Sequence, residues 1–185
     1  MTLIFIHHFG ISRYFLLNSL TDHPSISNYL SFYQFQQTQK INTTKEALWN
    51  FISSPKNLKR ITPSYMGFHI TSKNSSEKMY EGMLISYIVK PVLNIKTKWV
   101  TEITHINEGV SFIDEQRMGP YKLWHHQHFI QEIPGGVLMK DIVSYIPPFG
   151  FIGVIANKLL IKNKLKKIFA FRNRALETKY GIYND

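Results

Sequence analysis

The segment between residues 67 and 146 constrains the fold more than any other part of the chain. Six strand-like runs follow one another there with only short turns between them. Consecutive strands with short connections pair antiparallel, because a parallel pair needs a crossover of a dozen or more residues. The segment therefore predicts an antiparallel meander, whose runs are residues 67–72, 83–89, 97–106, 110–117, 121–133 and 137–146.

Further elements precede this meander. Residues 32–41 alternate apolar and polar side chains and predict another strand. Apolar residues at helical spacing follow over residues 45–53, after Thr44, whose hydroxyl can cap a helix. Pro55 ends that helix, and a second short helix fits residues 56–61.

One long helix is predicted after the meander, at residues 153–178. The element order is therefore strand, two short helices, six strands and one long helix, which is an α+β class. The long helix is the only large element able to cover the apolar face of the sheet. A space between a curved sheet and such a helix favours ligand binding. The apolar stripe of this helix is Ile161, Leu165, Ile168, Phe169 and Leu176.

The chain of 185 residues is long enough for one domain. Residues 1–31 differ from the rest, because their second half is rich in Asp, His, Pro, Ser and Asn and is typical of a linker. No basic stretch precedes their short apolar run, so a secretory signal is a poor fit. We expect a poorly ordered N-terminal extension over residues 1–31 and a single domain over residues 32–180.

Cysteine is absent from the chain, which excludes disulfides, thiolate metal sites and cysteine nucleophiles. No apolar run reaches the length of about 18 residues that a membrane span requires. Together these features favour a cytoplasmic location.

Positive charge is concentrated near the C-terminus. The net charge is +10, and residues 158–185 carry 8 basic and 2 acidic residues. A basic helix can bind nucleic acid or an anionic membrane, or it can simply present a solvated outer face. No nucleic-acid motif accompanies it, so we expect no nucleic-acid partner. Weak peripheral contact with an anionic membrane stays an alternative.

Polar side chains recur at every second position of neighbouring predicted strands, and residues two apart share a face. If residues 134–135 form a two-residue hairpin loop, His128 lies across from Asp141. The same register places Trp124 across from Tyr145. These pairs would then face the long helix together.

The preceding strand extends this row. If the turn at residues 119–120 keeps an even register, Asp114 lies near Trp124 or His126. A three-residue loop at residues 107–109 would place Glu102 opposite Asp114, although a slip of one residue would reverse the face. The predicted polar row is Glu102, Asp114, Gln116, His126, His128 and Asp141, framed by Phe112, Trp124, Val143 and Tyr145.

Arg172 falls in the middle of the apolar stripe of the long helix and should face the sheet. An unpaired buried charge is costly, so the guanidinium needs a carboxylate from Glu102, Asp114 or Asp141, or an anionic group of a ligand. Three alternatives follow: a buried network that fixes the helix, a set of groups that orients a ligand, or catalysis.

Four short motifs have the spacing of one known superfamily. They are Ser54-Pro55-Lys56-Asn57-Leu58 with Ile61-Thr62-Pro63, Asp114-x-Gln116-x-x-Gly119-Pro120-Tyr121-x-x-Trp124-x-His126-x-His128, Asp141-x-Val143-x-Tyr145-x-x-Pro148-x-Gly150, and Phe169-x-Phe171-Arg172. With the element order, they resemble the START/polyketide-cyclase superfamily, also called SRPBCC or helix-grip proteins. The resemblance is to its small bacterial members and covers about residues 32–180.

This resemblance implies a curved antiparallel sheet of about seven strands wrapped around a long C-terminal helix. It also implies a module that binds a small hydrophobic or amphipathic molecule, such as a lipid, quinone or polyketide-like compound. Trp124, Tyr145 and Phe112 would supply contact area. The polar end would be oriented by His126, His128, Asp114 and Arg172, with Gln116, Asp141 and Glu102 completing the site.

Two other functions stay open. One is a cyclase- or dehydrase-type enzyme with His126 and Asp114 as an acid–base pair. The other is a lipid carrier that docks on an anionic membrane through its basic helix. Binding is favoured over catalysis, because the chain has neither a Gly-x-Ser-x-Gly nucleophile nor a phosphate-binding glycine loop.

The spacing of His126 and His128 also suits metal ligands, with Asp141 as the third. Proteins of the superfamily that the chain resembles do not usually bind metal, and an imidazole facing Asp141 already has a hydrogen-bond partner. We therefore expect no metal and no cofactor. Residues 149–155 are either a loop that caps the cavity from inside or a gate that touches a membrane.

Overall fold

Seven antiparallel strands form one curved sheet in the computed structural model, which describes residues 32–73, 78–91 and 95–184. The predicted extension, residues 1–31, lies outside the described residues. The strands are β1 (Tyr33–Ile41), β2 (His69–Ile70), β3 (Leu84–Val89), β4 (Thr97–Asn107), β5 (Ser111–Met118), β6 (Leu123–Ile133) and β7 (Gly136–Ile146).

The predicted meander is confirmed, since each strand from β2 to β7 pairs with the next one in sequence. β1 pairs antiparallel with β7, so that β1 and β2 form the two edges of the sheet. The first predicted run of the meander is much shorter in the structure, where only two of its residues form β2.

Short helical segments connect β1 to β2. Helix α1 (Lys45–Ile52) begins after Thr44, whose hydroxyl accepts a hydrogen bond from the backbone N–H of Ala47 at 3.2 Å. Pro55 ends α1 as predicted and begins a 3₁₀ helix, Pro55–Ile61, which is followed by another at Ser64–Met66.

The C-terminal helix is longer than predicted and is interrupted by a wider turn. It consists of α2 (Gly150–Ala156), a π-helical turn (Asn157–Ile161) and α3 (Lys162–Tyr180). Four members of the predicted apolar stripe are buried, and Ile168 is half-buried. This stripe packs on the sheet through Phe169, whose ring lies 4.9 Å from that of Phe35.

A β-bulge of one extra residue in β4 changes the predicted position of Glu102. Between Ile103 and His105 the strand contains one residue more than its partner, so that Ile103 pairs with Asp114 and Glu102 pairs with Glu115. Because side chains alternate between the two faces, the extra residue turns Glu102 to the convex face. The prediction that Glu102 lies opposite Asp114 is therefore wrong.

The register between β6 and β7 agrees with the prediction. His128 pairs with Asp141 and Trp124 pairs with Tyr145, while the same face of β5 brings Asp114 beside His126. No helix in the described part of the chain is both long and apolar enough to cross a membrane.

Candidate functional site

A cavity of about 160 Å³ lies between the concave face of the sheet and α3. Leu165, Ile168 and Phe169 line it from the helix side, and Phe51 and Ile52 of α1 line it from one end. Helix α3 covers this face because its apolar stripe and the apolar face of the sheet both leave water when they pack together.

Aromatic rings form one wall of this cavity. The ring of Trp99 is stacked on Tyr87 at 5.9 Å and lies perpendicular to Trp124 at 5.3 Å. Tyr121 contacts Trp124 at 5.0 Å, and Phe68 contacts Tyr87 at 4.8 Å. Rings at these separations attract one another and offer flat apolar surface to a ligand.

A buried charged cluster of two histidines, two aspartates and one arginine lies against the cavity. Nε2 of His128 is 2.9 Å from Oδ2 of Asp114, and its Nδ1 is 2.8 Å from Oδ1 of Asp141. Nε2 of His126 is 3.1 Å from Oδ1 of Asp141, and its Nδ1 is 3.4 Å from Oδ2 of Asp114. Arg172 donates from Nη1 to Oδ1 of Asp141 at 3.3 Å. Each imidazole therefore bridges both carboxylates.

The two histidines of the cluster differ in pKa. Burial lowers the pKa of the His128 imidazole, but its contacts with Asp114 and Asp141 raise that pKa by more, so the net shift is upward from 6.5. Burial and the charge of His128 lower the pKa of His126 below 6.5 despite the same carboxylates. A proton on the pair therefore resides on His128.

Both aspartates stay ionised. Burial alone would raise their pKa, but the histidines and Arg172 lower the pKa of each carboxyl below its ordinary value of 3.8. With His128 protonated, the positive charges on His128 and Arg172 balance the two carboxylates. Such a balanced arrangement limits the cost of burying the charges.

Acid–base catalysis by His126 and Asp114 gains little from this geometry. Both ring nitrogens of His126 face carboxylates of the cluster, and Oδ2 of Asp114 contacts both histidines. A general base needs a nitrogen or oxygen within hydrogen-bond reach of a substrate proton. The described residues hold these atoms in contacts among themselves.

The cluster also resembles a metal site in its donor atoms. Asp114, His126 and His128 each offer one ligand atom, and these atoms lie within 4.8 Å of one another, whereas the predicted third ligand, Asp141, is outside this set. The guanidinium of Arg172 already pairs with Asp141, so part of the carboxylate charge of the cluster is neutralised without a metal.

Two buried nitrogen donors of residues that line the cavity lack a hydrogen-bond partner among the described residues. They are Nε1 of Trp99 and Nε of Arg172. A buried donor without a partner costs about 1–3 kcal/mol.

Most of the predicted site residues meet at the cavity. Asp141 is buried behind the histidines rather than on the wall, and Tyr145 donates from its hydroxyl to Oδ1 of Asn157 at 2.7 Å. The predicted residues that line the cavity are Phe112, Asp114, Trp124, His126, His128 and Arg172.

Two predicted residues lie elsewhere. Gln116 closes the turn before β6, because its side-chain amide exchanges hydrogen bonds with the backbone of Tyr121 at 2.7 and 3.2 Å. Glu102 forms an ion pair with Arg117 on the convex face. Neither side chain lines the cavity.

Sequence reasoning missed part of the aromatic wall. Tyr121 precedes β6 and Phe68 precedes β2, so strand periodicity places neither ring on the wall. Tyr87 and Thr101 share a hydrogen bond of 2.8 Å on the wall. The strand alternation of β4 is the signal that could have placed Thr101 on the concave face.

Comparisons with known proteins bear on the fold. No protein-family model matches the sequence, and no curated protein matches it. A START superfamily protein from Mycobacterium smegmatis is 13% identical, with a TM-score of 0.56 over 80% of this chain and 96% of that chain. Ginseng major latex-like protein 151 from Panax ginseng is 9% identical, with a TM-score of 0.57 over 80% and 97%. A protein from Chromobacterium violaceum is 10% identical, with a TM-score of 0.61 over 81% and 99%. The chain has the START-type, or SRPBCC, fold.

Proposed function

We propose that this protein binds a small hydrophobic or amphipathic molecule between the sheet and α3. The observation that carries the proposal is the cavity wall, in which aromatic rings adjoin one charged cluster. Apolar cavities with a few placed polar groups are the usual form of small-molecule sites. The resemblance noted in the sequence points to the same class of ligand.

The volume of the cavity limits what it encloses. Apolar cavities of about 150 Å³ hold a benzene-sized molecule, and sites for larger ligands run from about 300 Å³ upward. A cavity of about 160 Å³ therefore encloses one ring or a short chain segment. A longer molecule would extend past Lys164 and Ile168, which line the cavity but are only half-buried.

The polar end of the ligand would carry a hydrogen-bond acceptor such as a carbonyl or carboxylate oxygen. The partnerless nitrogens of Trp99 and Arg172 are donors, and neither can accept a hydrogen bond. A ligand with only donor groups would leave both unsatisfied. The cavity thus favours a ligand that carries a hydrogen-bond acceptor in its ring or on the first atom attached to the ring.

Two probes of equal shape test this proposal. Acetophenone and α-methylstyrene differ only in a carbonyl oxygen against a methylene group, and titration followed by NMR gives an affinity for each. We expect acetophenone to bind about tenfold more tightly, because one satisfied buried donor is worth about 1–2 kcal/mol. Equal affinities would overturn the acceptor proposal, and failure of both probes to bind would overturn the site.

A pair of variants locates the donor. Trp99→Phe removes the indole N–H but keeps an aromatic ring, so most of the preference for acetophenone should disappear. Trp49→Phe is the matched control, because Trp49 donates to Glu108 at 2.8 Å and lies outside the cavity. The Trp49→Phe variant should prefer acetophenone over α-methylstyrene by the same factor as the unmodified protein.

The enzyme alternative predicts a different result. If His126 and Asp114 act as an acid–base pair, His126→Gln would abolish turnover of a bound substrate while affinity is retained. We expect binding without turnover, because the ring nitrogens of His126 already face two carboxylates.

A further inference from the structure

Large apolar side chains are exposed on the segment that leads into α3. Phe149, Phe151 and Ile152 are 76%, 57% and 58% exposed, and Leu159 is 63% exposed. Neighbouring exposed apolar residues on one surface mark an interaction site, whereas isolated ones are ordinary. We call residues 149–160 the exposed apolar segment. None of its residues lines the cavity, which disfavours the inward-facing cap among the two alternatives for residues 149–155.

The backbone holds this segment in place. Phe149 has φ of +64°, a left-handed conformation that non-glycine residues rarely adopt, and Gly150 follows with φ of +52°. A Cβ atom on Gly153 would lie 2.0 Å from the carbonyl oxygen of Pro148, so α2 packs directly on the preceding chain. The strained backbone at Phe149 is not offset by burial, because the side chain is exposed.

The inner side of the segment is fixed to the sheet. Asn157 is buried and accepts the hydrogen bond of the Tyr145 hydroxyl at 2.7 Å. Gly153 is buried as well. The apolar side chains outside are therefore presented on an anchored helix, whose inner face is already occupied.

Positive charge continues from this apolar surface along the helix. Lys158, Lys162 and Lys166 are exposed at intervals of four residues. No Asp or Glu occurs between Asp141 and Glu177. An apolar face with lysines beside it is the pattern of a helix that lies in the interface of an anionic bilayer.

We propose that the exposed apolar segment docks the protein on an anionic lipid bilayer. Phe149, Phe151, Ile152 and Leu159 enter the boundary between headgroups and acyl chains, while the lysines meet lipid phosphates. The charge favours this occupant over a second copy of the chain, because two such surfaces would bring like charges together.

Docking would also place the cavity beside the bilayer, a consequence that rests on the proposed function. Ile161 of the π-helical turn and Lys164 of α3 both line the cavity, directly after the exposed apolar segment. An apolar ligand could then pass between membrane and cavity with little exposure to water. The docking itself is independent of whether the cavity is filled.

Vesicle flotation with the full chain tests the docking. One set of vesicles contains phosphatidylcholine alone, and the other contains phosphatidylcholine mixed with phosphatidylglycerol. We expect flotation with the mixed vesicles and much weaker flotation with the neutral ones, with a loss of binding at high salt. Absence of flotation with mixed vesicles, or equal flotation with both sets, would overturn the proposal.

Variants separate the electrostatic attraction of the lysines from the insertion of apolar side chains. Lys158→Gln and Lys162→Gln should each lower the partition coefficient about fivefold, because a lysine near an anionic surface contributes about that factor. Phe151→Ser should lower it roughly tenfold through lost apolar insertion. The matched controls are Lys98→Gln and Met118→Ser, both exposed on the sheet, and neither should change it.

Phe149→Gly distinguishes docking from folding. Glycine adopts positive φ freely, so this variant should keep or raise the Tm of the protein. Its flotation should nevertheless fall. A control variant that loses as much flotation as Phe151→Ser would overturn the proposal, and so would light scattering that shows a dimer dissociated by Phe151→Ser.

Discussion

Arg172 shows at the scale of one residue how the site and the fold share a side chain. Its guanidinium donates to Asp141 and lies over the ring of Phe169, 4.8 Å from the centroid. It thus links α3 to β7 within an apolar surrounding. The same group lines the cavity, so it both fixes the helix and faces a ligand.

Replacing Arg172 should destabilise the protein in an order set by charge. Arg172→Leu leaves Asp141 with the histidines and should cost about 3 kcal/mol of unfolding free energy. Arg172→Glu adds a third carboxylate to the cluster and should cost more. Urea unfolding measures both, with the exposed Arg174→Glu as a control expected to stay within about 0.5 kcal/mol. Equal losses for Leu and Glu would contradict the inward orientation of Arg172.

The histidine pair should give stability a maximum near pH 6.5. Because the folded pKa of His128 is raised, its stabilisation is complete below 6.5 and is lost as pH rises above that value. Because the folded pKa of His126 is lowered, the unfolded chain binds a proton more readily as pH falls below 6.5, and stability falls. The aspartates add a further loss below their ordinary pKa of 3.8.

Unfolding free energies across a pH series test this maximum. His128→Gln should remove the decline on the alkaline side, and His126→Gln should remove the decline that begins below 6.5. The exposed His69→Gln should leave both slopes unchanged. An unaltered alkaline slope in His128→Gln would show that its protonation is not coupled to folding.

Individual site residues were predictable from the sequence where strand periodicity alone decided their face. His126, His128 and Asp141 are of this kind, because a tight hairpin joins β6 and β7 and fixes their register. Gln116 lies on the predicted face, but its side chain forms hydrogen bonds with the turn before β6. Strand periodicity predicts the face on which a side chain lies, but it does not predict the hydrogen-bond partner of a flexible amide.

At the scale of elements, the apolar periodicity of the sequence did not predict the β-bulge or the π-helical turn. The single extra residue in β4 sends Glu102 to the other face, although the strand itself was predicted almost to its ends. The π-helical turn Asn157–Ile161 adds a similar irregularity to the C-terminal helix. Apolar spacing is nearly the same with or without such a turn.

The π-helical turn should depend on its bond to the sheet. Tyr145→Phe leaves the Asn157 side-chain oxygen buried without its donor, which should cost about 1–3 kcal/mol. Amide hydrogen exchange should then accelerate across Asn157–Ile161 more than in the middle of α3. Tyr80→Phe, at an exposed tyrosine, should leave the pattern unchanged, and an unchanged pattern in Tyr145→Phe would contradict the anchoring role.

At the scale of the whole molecule, the order of elements predicted the α+β class and the helix on the sheet, whereas the curved seven-stranded sheet followed from the resemblance to the superfamily. A meander with one long helix leaves a single way to cover the sheet, and the structure confirms that arrangement. The aromatic wall was harder, because Phe68, Tyr87 and Tyr121 come from separate segments that meet only in the folded chain. The boundaries of the domain, residues 32–180, stay a prediction.

The perpendicular pair of indoles gives the molecule an optical property. Trp99 and Trp124 stand 5.3 Å apart with their planes at 90°, and their excited states couple at that separation. Such coupling produces a circular dichroism signal whose size depends on the angle between the rings. Trp49, bonded to Glu108 away from the pair, adds a constant background. A guest molecule that tilts either ring would therefore change the signal without any attached dye.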